Sequence, residues 1–154
     1  MTLKRNKKLF IELIIVLSQF IIILFHFIKV NLFTQKIIHE DIKLIDNIGT
    51  FLIVIGLIFI ILSLKDLGNS ISPMPKPKVK SKLVTKGIYS FIRHPMYYSL
   101  LIISLGFLMK SLTIYNLLLT ILLTSIIIIK IKIEEVYLIK KYTNYISYKN
   151  RIKI

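Results

Sequence analysis

Cysteine is absent from the 154-residue chain, and so is alanine. Without thiols there is no disulfide staple, no thiolate zinc site and no cysteine nucleophile. Negative charge is scarce as well: seven Asp and Glu stand against 22 Lys and Arg, a formal charge of +15. Such a balance suits nucleic acid, but 55% of the residues are hydrophobic and the mean hydropathy is +0.75. A soluble fold of this size cannot bury that much apolar surface, so a bilayer has to take the excess. The positive charge then reads as membrane topology and attraction to anionic lipid headgroups, not as a nucleic-acid site. The three histidines, His26, His39 and His94, have no carboxylates at ligand spacing and offer no metal set. The missing alanine goes with 34 isoleucines, a mark of AT-rich coding that carries no functional information.

Four apolar segments predict an all-α integral membrane protein, a single membrane domain over residues 1–154. They are Leu9–Ile28, Ile48–Leu64, Met96–Met109 and Leu112–Ile129. The first is longer than a signal peptide's apolar core of roughly 7–15 residues, and no small-x-small site follows it, so it reads as a retained signal anchor. The third has 14 residues before Lys110, about 21 Å of helix against a hydrocarbon core of roughly 30 Å. It is expected to borrow from Ser90–Pro95 or to sit in thinned membrane, and to form a tight C-terminal hairpin with the fourth around Lys110 and Ser111. Eighteen of the 22 basic residues fall before the first segment, between the second and third, or after the fourth. The remaining four are Lys29, Lys36, Lys43 and Lys110. The positive-inside rule then puts both termini in the cytoplasm.

All four prolines lie between residues 73 and 95, three of them in Pro73-Met74-Pro75-Lys76-Pro77. Alternating prolines forbid helix and favour an extended path. The connection between the second and third segments, about 30 residues long, far exceeds an ordinary loop, and such loops are functional or disordered. Leu83, Val84, Ile88, Tyr89, Phe91 and Ile92 argue for an ordered segment on the cytoplasmic interface. After the fourth segment, Tyr142, Tyr145 and Tyr148 recur every third residue on a basic tail, the pattern of an amphipathic interfacial helix.

Within that connection stands Gly87-x-Tyr89-x-x-x-Arg93-His94-Pro95-x-Tyr97, followed after the last apolar segment by Glu134-Glu135-x-x-Leu138. Together these resemble the isoprenylcysteine carboxyl methyltransferase and phospholipid methyltransferase superfamily. The preceding Pro-x-Pro-x-Pro and Leu83-Val84-Thr85 match bacterial members of that group, and the resemblance covers roughly residues 70–151. It implies a helical enzyme of a bacterial cytoplasmic membrane that transfers a methyl group from S-adenosylmethionine to a lipophilic acceptor. An isoprenoid-linked carboxylate and a phospholipid amine are acceptors of that kind. The motif positions assign Tyr89, Arg93, His94, Pro95, Tyr97, Glu134, Glu135 and Tyr145 to the cofactor, with Arg93, His94 and Glu135 at the chemistry. There are two departures. Ser99 stands where many relatives have glycine, and the chain ends at Arg151-Ile152-Lys153-Ile154 without the usual proline-containing tail.

The residue types suit such a cofactor on their own terms. Its carboxylate wants a cation or a helix start, which Arg93 and Pro95 provide. His94 donates or accepts at neutral pH. Glu134 and Glu135, the only acidic residues after Asp66, can face the cofactor ammonium or hold Arg93. Their competing reading is ordinary helical ion pairing with Lys130 and Lys132. Arg93 competes with a snorkelling anchor, and most tyrosines with an interfacial belt. Asp66 reads as a helix-end charge, and His26 and His39 receive no role. Methyl transfer from a sulfonium needs alignment more than acid–base machinery. Two other classes stay open. A non-enzymatic channel subunit or assembly factor would show no saturable binding of S-adenosylmethionine. A nicotinamide-dependent membrane reductase would be protected by its own cofactor instead.

Overall fold

The computed structural model describes residues 2–28 and 43–152, and among them every regular element is helical. They are α1 (Thr2–Phe25), α2 (Lys43–Leu67), α3 (Pro95–Ser111), α4 (Ile114–Lys141) and α5 (Tyr145–Arg151), with short 3-10 turns at Gly68–Ser70 and Gly87–Ser90. Lys29, Lys36, His39 and Lys153, and the side chains of Lys4, Arg5 and Lys8, lie outside the described residues. Two helices, α2 with the turn that continues it and α4, are long and apolar enough to cross a membrane. The apolar part of α1, Leu9–Phe25, and the 17-residue α3 are shorter.

Three boundaries differ from the sequence expectation, each for a local reason. The third helix takes only Pro95 from Ser90–Pro95, because Pro95 is its first residue and a residue before proline is pushed out of the α region. The α3–α4 turn falls at Leu112 and Thr113 rather than Lys110 and Ser111. Leu112 adopts a left-handed φ of 48°, and the Thr113 hydroxyl accepts from the Asn116 N–H at 3.3 Å to cap α4. The fourth helix runs on past Ile129 to Lys141, since Lys130, Lys132, Glu134 and Glu135 are good helix formers and no glycine or proline intervenes.

Polarity is arranged inside out. Leu13, Leu17, Phe20 and Leu24 of α1 and Phe51, Leu57, Ile58 and Ile61 of α2 are exposed, whereas Glu12, Gln19, His26 and Ser63 are buried. A bilayer accepts that outer surface and water does not. The α2–α3 seam is built from small residues at heptad spacing: Gly49 faces Gly106 and Gly56 faces Ser99. A Cβ on Gly106 would lie 2.7 Å from the Gly49 carbonyl oxygen, so the backbones touch with no room for a side chain. Ser99 belongs to this seam. It is fully buried, its hydroxyl donates to the Pro95 carbonyl at 2.7 Å, and its carbonyl lies against Gly56.

Helix α1 packs on α4 by polar contacts, Glu12 with Tyr137 and Gln19 with Lys130, and His26 reaches Ser104 of α3 at 2.7 Å. Ile22, Tyr97, Leu119, Leu123 and Ile127 fill the core between α1, α3 and α4. These pairings bring the start of α1, the end of α2, the start of α3 and the end of α4 to one end of the bundle. The basic tail joins them there. Tyr145 and Tyr148 turn inward onto Leu83, Leu138 and Tyr142 rather than outward to an interface.

Candidate active site

The proline-rich segment forms one wall of a half-open cleft at this end, with Pro75 fully buried. The chain then turns at Gly87, whose φ of +60° suits glycine. Asp66 at the end of α2 accepts from the Ile88 N–H at 2.8 Å, and its carboxylate occupies the space a Gly87 Cβ would need. Asp66 is therefore more than a helix-end charge: it fixes the turn that presents Tyr89. The Tyr148 hydroxyl of α5 donates to the Tyr89 carbonyl at 2.6 Å and holds the turn from the other side.

The half-open cleft has a volume of about 90 Å³, and its lining includes Tyr89, Arg93, His94, Tyr97, Glu134 and Tyr145. Of the residues singled out by sequence, the other two stand behind it. Pro95 is buried as the first residue of α3. Glu135 accepts from Arg93 Nη1 at 2.7 Å and from Lys149 Nζ at 2.6 Å, with His94 Nε2 at 3.6 Å. Its partners are thus across the bundle and on α5, not the neighbouring Lys132, which is exposed. Glu134 faces the other way, accepting from the Tyr97 hydroxyl at 2.5 Å. The Tyr97 and His94 rings stack with centroids 5.7 Å apart.

Charge is not balanced atom by atom. Arg93 Nε and His94 Nε2 are buried without a hydrogen-bond partner, although buried donors are nearly always paired. His94, then Lys149 and Arg93, hold the Glu135 carboxyl down at about 2 against the effect of burial. That residue lies about 32 Å along α4 from Ile114, beyond a hydrocarbon core of roughly 30 Å. Burial first, and Glu134 next, push the Tyr89 phenol up; burial and then Glu135 do the same for Tyr145. Both phenols therefore keep their protons at any working pH.

A family model described as phospholipid methyltransferase matches residues 45–145, most of the chain. The chain belongs to the phospholipid methyltransferase family. The matched region starts in α2 and ends at Tyr145, so it takes in every residue on the cleft wall named above and leaves out α1 and nearly all of α5. No curated protein and no solved structure matches the chain. Phospholipid methyltransferase family members generally use S-adenosylmethionine, and with the apolar helices the assignment makes this a membrane protein.

Sequence reasoning assigned no cleft role to Met96, Tyr142 and Tyr148, which are among its lining, or to Lys149 behind Glu135. A signal existed for the tyrosines. Their three-residue spacing is a one-sided helical stripe, and the side it faces is the cleft rather than lipid.

Proposed function

We propose that this chain is an S-adenosylmethionine-dependent methyltransferase acting on a lipophilic acceptor at the cytoplasmic face. In this reading all four long helices span the membrane and both termini are cytoplasmic. The observation that carries the proposal is the convergence of Arg93, His94 and Glu134 on one cleft, where Arg93 Nε makes no hydrogen bond and His94 Nε2 only faces Glu135 at 3.6 Å. An amino-acid headgroup, with a carboxylate and an ammonium close together, matches those donors and that acceptor. The cleft volume of about 90 Å³ takes only part of such a molecule, so its larger end has to occupy the open mouth beside the proline-rich wall.

When bound, S-adenosylmethionine supplies an electrophilic methyl group. The chain's own contribution is to bind and align. Arg93 and His94 hold the carboxylate, Glu134 the ammonium, and Tyr89 and Tyr145 stay neutral as hydrogen-bonding walls. A carboxylate acceptor needs no base. An amine or hydroxyl acceptor does, and His94 or Glu134 suits that task better than Glu135, which is already held as a carboxylate by two cations. A lipid amine is the acceptor class that the family description favours.

Equilibrium binding of S-adenosylmethionine and its demethylated product to the detergent-solubilised protein tests the reading. Saturable binding that Arg93→Gln weakens is expected. Protection by a nicotinamide cofactor instead, or no saturable binding, would overturn it.

A further inference from the structure

Lys130 is a buried ionisable group with no part in that binding scheme. It lies on α4 and is only 2% exposed, whereas Lys132 two residues on is exposed. A lysine at this depth would ordinarily snorkel to water, and an ammonium confined inside a bundle is costly unless it is compensated. Here three groups compensate it. Its Nζ donates to Gln19 Oε1 of α1 at 2.7 Å. It sits 5.0 Å over the centroid of the Tyr97 ring. The Glu134 carboxyl, which the Tyr97 hydroxyl reaches at 2.5 Å, adds a favourable charge from beyond direct contact. Gln19, Lys130, Tyr97 and Glu134 thus form a continuous polar path from α1 to the cleft wall. Gln19 is the middle of a buried polar stripe, Glu12, Gln19 and His26, spaced by seven along α1 and the turn that ends it. Helix α1 lies outside the family match, yet its polar stripe leads to the site.

We propose that Lys130, held by Gln19, is a positioning residue for the cofactor cleft: its ammonium sits against the Tyr97 ring and holds the Tyr97 hydroxyl in line to donate to Glu134. The other groups facing Glu134 are His94 before α3, Tyr89 in the 3-10 turn, Tyr145 of α5 and the like-charged Glu135 beside it. Among the described residues facing Glu134, Lys130 is the one lysine or arginine. The inference rests on the cofactor reading, in which Glu134 receives the ligand ammonium.

The test is a double-mutant cycle on the affinity of the full-length protein for S-adenosylhomocysteine. Lys130→Met is expected to weaken binding about tenfold in the native background and hardly at all when Glu134 is already glutamine, since residues joined in one network couple and distant ones add. Lys130→Arg should recover most of the loss. If Lys130→Met does not yield folded protein, Gln19→Leu replaces it, with a smaller loss that again vanishes in the Glu134→Gln background. A merely structural lysine would weaken binding by the same factor in both backgrounds, and that result overturns the proposal. Absence of any binding by the unsubstituted protein overturns the cofactor reading and this one with it. Binding with additive losses overturns this one alone.

Discussion

Glu135→Gln keeps the size and the acceptor oxygen of the side chain and removes only its charge. In the structure that charge holds Arg93 at 2.7 Å, with side chains 15% and 14% exposed, and Lys149 at 2.6 Å, itself 39% exposed. Removing one member of a buried hydrogen-bonded charge pair costs about 2–5 kcal/mol, whereas an exposed pair contributes below about 1 kcal/mol. The Arg93 pair is not fully dry, so the sum falls near 2–4 kcal/mol, a drop of about 4–16 °C in the melting midpoint for a chain of this size. Arg93 loses its anchor at the same time, and affinity for S-adenosylhomocysteine should fall roughly tenfold. Lys132→Gln is the control, because Lys132 is exposed and is not the partner of Glu135. The pH dependence fixes the sign. A carboxyl held at about 2 instead of 4.5 adds stability above the higher value and loses it as pH falls toward the lower. The gap in melting temperature between native and Glu135→Gln protein should be flat from neutral pH down to about 5 and close between 4.5 and 2. Differential scanning fluorimetry in detergent reads both. Equal small effects from Glu135→Gln and Lys132→Gln, or a gap that survives at the lowest pH, would refute the bracing role.

Gly87→Ala places a Cβ 2.0 Å from the Asp66 carboxylate at a φ of +60°. Left-handed strain and the lost Asp66–Ile88 hydrogen bond should together cost about 2–4 kcal/mol of thermal stability, with a smaller loss for Asp66→Asn. Gly106→Leu drives a side chain into the α2 backbone and should cost about 1–3 kcal/mol by overpacking, while Leu105→Met on the exposed face should be neutral in the same melt. A reporter fused after Ile154 should read cytoplasmic and one inserted near Lys110 external, and the opposite signals would separate the cleft from the cofactor's compartment.

The site was more legible than the bundle that carries it. Arg93-His94-Pro95 and Glu134-Glu135 stood out by their match to a family motif. Chemistry alone left a snorkelling arginine and ordinary helical ion pairs as rivals, and the structure brings both runs to one end of the bundle. Helix pairing had no such signal. A seam of Gly49, Gly56, Ser99 and Gly106 works by what is missing, so the intimate α2–α3 packing stayed hidden although the glycines are plain in the sequence. Lys130 was misleading for a different reason. Four residues before Glu134, it fits an exposed helical ion pair as well as a buried one, and only the Gln19 contact decides between them. Asp66 looked like a helix-end charge because its partner is 22 residues away in a turn whose geometry depends on Gly87.

The division of labour between the two glutamates follows from the helix itself. Successive residues on an α-helix point about 100° apart, so two adjacent carboxylates cannot both face one ligand. One of them must address a neighbouring element. Here the later residue meets Arg93 and α5, and the earlier one meets Tyr97 and the cleft. The acidic pair therefore contains one group that lines the cleft and one that braces the cation opposite. The brace lies on the side where the tail folds back, and that side accounts for the inward turn of Tyr145 and Tyr148. Lys149 of α5 reaches the same carboxylate as Arg93, so the tail and the loop before α3 are tied to one atom group on α4. Loss of α5 should consequently loosen Arg93 even though α5 lies almost wholly outside the family match.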